Sequence, residues 1–273
     1  MNAQSTSNAA VLFRSLHNAG DPLRLSNAWD AASAVLAEAA GATAIATTSA
    51  GIAWSAGVPD GDHLDREAAV RAVGRIVAAV GIPVSADIEG GYACSSSEVA
   101  ATVSAILDTG AAGINIEDGN RTAVDAAERI RVARHAADAA GVPLFINART
   151  DVFLAACGSQ EEMTEEVIGR ANRYVEAGAD GIFVPGATSA ESILTLVTAI
   201  PVPVNIMVGP GSFSVDELGR LGVARVSLGS GVAQAAYAVA RRAAEELMSA
   251  GTYAATGAAL DYGELNSLFA AQR

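Results

Sequence analysis

The sequence predicts an α/β chain folded as a (β/α)8 barrel with an extra helical segment at its C-terminal end. Three observations carry that prediction. Eight apolar runs of strand length alternate with segments of helical pattern. Several of those helical segments close on a glycine just before the next strand: Gly41, Gly81, Gly110, Gly141, Gly178 and Gly222. No linker, low-complexity tract or shift of composition divides residues 1–273, so the repeat reads as one barrel domain. The rival plan, a doubly wound sheet, opens its first helix with G-x-G-x-x-G, whereas the first unit here reads SNAWDAAS.

In chain order the strands are expected near Leu23–Asn27, Ala44–Thr48, Val84–Glu89, Gly113–Glu117, Leu144–Arg149, Gly181–Pro185, Val202–Val208 and Arg225–Gly229. The Ala-rich helical segments between them are 31–40, 65–80, 96–109, 123–140, 161–178, 189–199, 214–221 and 231–250. A ninth, over 256–271, belongs to a C-terminal helical extension spanning 251–273. Residues 39–59 carry no charge and are long enough to cross a bilayer, but they hold Thr47, Thr48, Ser49, glycines and Pro59. A strand followed by a glycine-containing loop is the expected structure there.

Composition narrows the classes of function. Hydrophobic residues at 51% and charged residues at 17% supply a large core and exclude a disordered chain. A net charge of −13 and a sequence pI near 4.6 argue against nucleic acid, whose phosphates require clustered Lys and Arg. Two cysteines, Cys94 and Cys157, without CxxC spacing fit a reducing compartment. The N-terminus MNAQSTSNAA has neither a basic start nor an apolar run. The expectation is a soluble cytoplasmic protein with no membrane partner.

The chemistry concentrates at the C-terminal ends of the strands, where a barrel builds its active site. Asp87 and Glu89 close VSADIEGGY, and Glu117 and Asp118 close GINIEDG. Isolated ionised carboxylates are costly to bury and call for a cation. Asp87 and Glu89, two apart on one strand, would point to the same side with Cα atoms roughly 6.6 Å apart. Glu117 ends the neighbouring strand. A hard ion that keeps several waters and takes one or two carboxylates directly is Mg²⁺, with Mn²⁺ an acceptable substitute. Without a histidine cluster zinc is disfavoured, and His17, His63 and His135 read as surface residues. Asp118 reads equally well as surface charge. Arg149, in FINARTD, offers a planar fork to a carboxylate or phosphate, or a salt bridge to the acidic rim. Thr47, Thr48 and Ser49 would either bind an anion or cap a turn. LGSG, Leu228 to Gly231, opens the last helix and is weak evidence for phosphate. Cys94, which follows the third strand beside acids rather than basic groups, reads as inert.

Taken together, SNAWDAASAVLAEAAG, TTSAGIAWSAGVPDG, VSADIEGGY, AGINIEDG, NARTD and ADGIFVPG resemble the isocitrate lyase / phosphoenolpyruvate mutase superfamily, over roughly residues 20–190 and in its order. The resemblance implies a Mg²⁺-dependent (β/α)8 barrel, a dimer or tetramer that exchanges its last helix between neighbours, and bond making or breaking beside a 2-oxo acid through an enolate. It makes Asp87 the direct metal ligand, with Glu89 and Glu117 as the second and third acids, and Asp60 a holder of the metal's waters. It places Arg149 on the substrate anion and aligns Thr48, Ser49 and Ala50 with the loop that holds the substrate carboxylate.

The chain departs from that pattern in three places. The lid after the fourth strand, IEDGNRTAVDAAERI, lacks the KRCGH-type string whose Cys is the lyases' catalytic acid. It also lacks the mutases' Lys and Asn pair, with only Asn120 and Arg121 nearby. The sixth-strand Glu is replaced, since FVPG ends on Pro185 and Gly186. A Mg²⁺-dependent carbon–carbon lyase acting on a small anionic 2-oxo or 2-hydroxy acid is the leading expectation, with Arg121, Asp118 and Asn205 as helpers. Phosphonopyruvate hydrolysis or phosphoenolpyruvate mutation is the first alternative. A barrel that binds oxo acids without turnover is the second.

Overall fold

The computed structural model describes residues 3–270, so the last three positions of the predicted extension fall outside it. Helix α1 (Ala3–Ser15) leads into β1 (Leu23–Ala28), and the chain then alternates as expected. The units are α2 (Ala31–Ala39), β2 (Ile45–Thr47), α3 (Ser49–Ser55), α4 (Arg66–Ala78), β3 (Val84–Asp87), α5 (Val99–Thr109), β4 (Gly113–Glu117), α6 (Ala123–Ala139) and β5 (Phe145–Arg149). They continue as α7 (Val152–Ala155), α8 (Gln160–Glu176), β6 (Gly181–Val184), α9 (Ala190–Ala199), β7 (Val204–Met207), α10 (Val215–Arg220), β8 (Arg225–Ser227), α11 (Gly231–Ser249) and α12 (Tyr262–Ala270). All eight strands are parallel and close in sequence order, β1 pairing with both β2 and β8.

Alternation along each strand sorts the side chains. Ile45, Ala86, Ile114, Ile116, Ile146, Ile182, Val184, Ile206 and Val226 face outward into the layer shared with the helices. Burial of each such Ile or Val stabilises the fold by about 1.5–3 kcal/mol. The inward positions differ by height. Leu23, Leu25, Ala44, Ala46 and Phe145 fill the base, while Asn115, Asn147, Asn205 and Ser227 make a hydrogen-bonded polar layer above them. Five of the six glycine stops are borne out, Gly110 and Gly178 for example following their helices with φ of 93° and 106°, a region that a Cβ disfavours; Gly81 is the exception, since α4 ends on a right-handed Ala79.

Several features depart from the expectation, among them the short helix α7 in a stretch with no predicted element. Helix α1, unpredicted, closes the base of the barrel with Phe13, fully buried edge-on against Phe145. Its signal was present as a 3.6-residue spacing of buried Thr6, Ala10 and Phe13. His17 is not a surface residue: its ring stacks on Phe145 at 4.0 Å and its Nδ1 lies 2.9 Å from the Phe13 carbonyl. Burial, with Arg225 nearby, pushes its pKa down to about 3, so it is neutral. The loop expected after Ser49 is a helix, α3, because Thr48 caps it by accepting a hydrogen bond from the Gly51 N–H. Finally, β3 ends at Asp87 rather than running to Glu89. Among the described residues no helix is long and apolar enough to cross a membrane.

Candidate active site

A cavity of about 170 Å³ opens at the C-terminal ends of the strands. Asp87, Asp60, Arg149, Thr48, Ser49 and Ala50 line it, as do Asn27, Asn115, Ser227 and Ser230. Leu154, Phe183, Pro185 and Met207 form its apolar side.

Asp87 ends β3, where Thr47 Oγ1 accepts from its backbone N–H at 2.8 Å. Its Oδ2 accepts from Ser49 N–H at 3.3 Å and from Ser49 Oγ at 3.1 Å. Burial still raises the Asp87 pKa, against Arg149 and these hydrogen bonds, with Asp60 adding to the rise. Glu89 does not share a strand face with Asp87. It follows the strand end with φ of 49°, and its Oε2 accepts from the Asp62 N–H. Its Oε1 is buried and makes no hydrogen bond among the described residues, with the Tyr92 hydroxyl as a neighbour. Burial and the charges of Asp60, Asp62 and Asp87 raise Glu89 to about 7.

Glu117 and Arg149 are register partners on β4 and β5, which brings Glu117 Oε2 to 2.8 Å from Arg149 Nη1. Arg149 also grips Asp151 through Nε and Nη2 at 2.6 and 3.1 Å. One guanidinium therefore serves two carboxylates. The Glu117 pKa is raised, first by burial and then by Asp87, Asp151 and Glu89, in spite of Arg149. Burial alone would lower the Arg149 pKa, but Glu117 and Asp151 reverse that.

Neither Glu89 nor Glu117 lines the cavity, and among the described residues no three His, Cys, Asp or Glu side chains form a ready-made metal cage. The donor set nevertheless fits a hard divalent ion. It is all oxygen, it is short of positive charge, and it leaves a buried carboxylate oxygen unpaired. Mg²⁺ needs only one or two direct carboxylates and reaches others through water. Asp87 would hold it directly, with Asp60, Glu89 and Glu117 around its waters.

Other predicted residues take different places. Arg121 turns to Asp62 at 3.0 Å and lies against Gly90, off the cavity wall. Asn205 is buried beneath the cavity, donating to Ser227 Oγ at 3.1 Å and accepting from Asn147. Asp118 points outward to Arg170 and Tyr174, at 2.9 and 2.8 Å, and its Oδ1 accepts from Asp151 N–H. Both cysteines are exposed, and neither lines the cavity.

The strand-end pattern alone does not single out Asn115, Phe183 or Arg225. Period-two alternation marks the first, since G-I-N-I-E places Asn115 on the same face as Glu117. R-V-S likewise places Arg225 with Ser227, inside the barrel. Arg225 is 1% exposed, and burial lowers its pKa to about 9, still cationic at neutral pH.

The fold and site define a (β/α)8 barrel with an acid-lined, arginine-bearing mouth suited to a small anion and a hard cation. The chain belongs to the isocitrate lyase / phosphoenolpyruvate mutase superfamily of lyases and mutases: the profile described as phosphoenolpyruvate phosphomutase matches residues 13–248. It is 41% identical over 223 residues to an uncharacterised Mycobacterium tuberculosis protein, covering 80% of this chain and 81% of that one. It is 31% identical over 204 residues to 2-methylisocitrate lyase of Escherichia coli, covering 70% and 67%. A crystal structure of a putative lyase/mutase from Burkholderia cenocepacia superposes with a TM-score of 0.89 at 37% identity, covering 98% of this chain and 97% of that one.

Proposed function

We propose that the protein is a Mg²⁺-dependent carbon–carbon lyase that cleaves a small 2-oxo or 2-hydroxy carboxylic acid through an enolate. The observation that carries this reading is the pairing, in one cavity, of Asp87 backed by three further acids with the guanidinium of Arg149. Mg²⁺ bound there would supply the positive charge that offsets charge developing on the substrate's oxygen. Arg149 binds the substrate carboxylate in competition with Glu117. Ser49 orients Asp87, and the Thr48–Ala50 segment contacts the substrate beside it. Kinship with 2-methylisocitrate lyase supports C–C cleavage. The phosphomutase profile supports the second reading, P–C bond chemistry, for which release of phosphate from phosphonopyruvate is the diagnostic.

The test is turnover of a panel of 2-oxo and 2-hydroxy acids with and without Mg²⁺, together with melting in Mg²⁺ and oxalate. In the metal-free protein the raised Glu89 pKa favours folding below its unfolded value near 4.5, and that contribution is lost as pH rises toward 7. Mg²⁺ must displace that proton, so its affinity should drop by up to about tenfold per pH unit below 7. Mg²⁺ with oxalate should raise the melting temperature more at pH 8 than at pH 6. No shift at either pH would remove the metal site. A shift without turnover of any substrate would leave a binding barrel in place of a lyase.

A homo-oligomer, dimer or tetramer, completes the proposal. Only Ala233 of the 19 residues of α11 is buried, and Tyr237, Val239, Leu247 and Met248 are exposed. A groove of about 390 Å³ runs outside β1 and β8, lined by Ala42, Val208, Val215, Val226 and Leu228. Helix α11 of a second copy would cover it. Light scattering should give a dimer or larger mass, and a monomer at micromolar concentration would refute the exchange.

A further inference from the structure

Arg225 is anomalous in this barrel. It is an arginine inside the strand cylinder, and among the described residues it makes no salt bridge. Its Nη2 donates to Asn115 Oδ1 at 3.0 Å, its guanidinium lies 5.7 Å from the Phe13 ring, and Nε and Nη1 have no partner. The acid whose charge acts on it is Asp87. Burying a cation without a counter-ion costs stability, and apolar side chains of similar size commonly stabilise such positions. The position therefore asks for a compensating use.

Asn115 shows what that use is. Its Oδ1 accepts from both Arg225 Nη2 and Asn147 Nδ2, the latter at 2.9 Å. Arginine has no acceptor, so the oxygen of Asn115 must face it, and the amide cannot flip. Asn115 lines the cavity beside Asp87 and Arg149, so the group it can offer a ligand there is the Nδ2 donor. Arg225 meanwhile lies beneath a cavity whose lining guanidinium, Arg149, is already shared by Glu117 and Asp151.

We propose that Arg225 is a positioning residue of this site, orienting the Asn115 amide and supplying an unshared positive charge beneath Asp87 that favours the anionic substrate and restrains the affinity for the metal ion. The proposal rests on the lyase reading above. Its signature is a pair of opposite shifts. Removing the charge should strengthen binding of a cation and weaken binding of an anion, each by about tenfold, the order expected of one nearby buried charge at an effective dielectric of about 20.

The experiment uses the full-length protein and calorimetric titration with MgCl2 alone, then with oxalate at saturating Mg²⁺. The variants are Arg225→Met and Arg225→Gln, and melting is followed in parallel. Arg225→Met should melt at the wild-type temperature or above it, bind Mg²⁺ about tenfold more tightly and bind oxalate about tenfold more weakly. Arg225→Gln keeps a donor for Asn115 and loses the charge. It should show the same gain for Mg²⁺ and a smaller loss for oxalate, and it carries the test if the Met variant fails to fold. Lower melting temperatures with both affinities within about twofold of wild type would reduce Arg225 to packing and overturn the proposal. A parallel loss of both affinities would also overturn it, as general damage to the site. If wild-type protein binds neither Mg²⁺ nor oxalate, the lyase reading itself falls, and this inference falls with it.

Discussion

Asp87→Asn is expected to abolish Mg²⁺ binding and turnover while leaving the fold intact. The carboxylate sits where cavity, Ser49 and Arg149 converge, and its charge is under-compensated without a metal. Asparagine keeps the shape and retains an oxygen for the Ser49 donors. It also removes a buried charge, so the metal-free variant should melt at or above the wild-type temperature. Loss of a direct ligand should exceed the 10–100-fold effect typical of groups that merely support a ligand, giving a drop in Mg²⁺ affinity of more than about 10²-fold. If the ion supplies about 4 kcal/mol of transition-state stabilisation, kcat/KM falls by about 10³-fold. Calorimetry and the acid panel measure both. An Asp87→Asn protein that binds Mg²⁺ like wild type would contradict the site assignment, and a melting temperature no lower than wild type excludes unfolding as the cause of a loss.

Asp118→Ala is expected to be the most destabilising single change at this end of the barrel. Asp118 is 1% exposed, and its two oxygens accept from Arg170, Tyr174 and the Asp151 N–H. Truncation strands the Tyr174 hydroxyl, 2.8 Å away in the native protein, and one side of Arg170. Breaking such a buried cluster costs about 3–5 kcal/mol. Arg170 keeps Glu166 at 2.7 Å, which puts the cost toward the lower end. The melting temperature should fall by roughly 10 °C. Activity should fall as well, because Asp118 fixes the backbone at Asp151 and Asp151 grips Arg149. Tyr174→Phe, which removes a single hydrogen bond, should cost only about 1 kcal/mol. If the alanine variant melts like wild type, the carboxylate is dispensable to the fold. Normal stability with lost turnover would return Asp118 to a direct part in the reaction.

These two acids, adjacent to strings of similar look, show how far the linear pattern reaches. Strand-end acids were legible because an apolar run that stops on Asp or Glu is unusual, and Asp87 lines the cavity. Asp118 sits one residue after Glu117, and a one-residue step past a strand end turns a side chain from the barrel mouth toward the helices. Its partners, Arg170 and Tyr174 on α8, are more than fifty residues away in sequence. The sequence pattern puts Glu89 on a continued strand, but the left-handed turn at that residue carries it to Asp62. Thr48 and Ser49 look alike in sequence, yet one caps α3 and the other holds Asp87. Asn115 and Arg225 were readable from two-residue alternation, but polar residues on an inward face conflict with the expectation of an apolar strand.

The sequence by itself determined the (β/α)8 architecture and the family, because alternation of apolar runs, helix caps and glycine stops are local signals that repeat eight times. It also determined that acids and an arginine gather at the C-terminal strand ends. The tertiary structure alone decided which of those acids share one guanidinium, which side chains turn to the helices, and that Arg225, without a salt bridge among the described residues, lies under the cavity. Those outcomes depend on strand register and barrel closure, which bring residues distant in the chain within a few ångströms and set the dielectric around each charge.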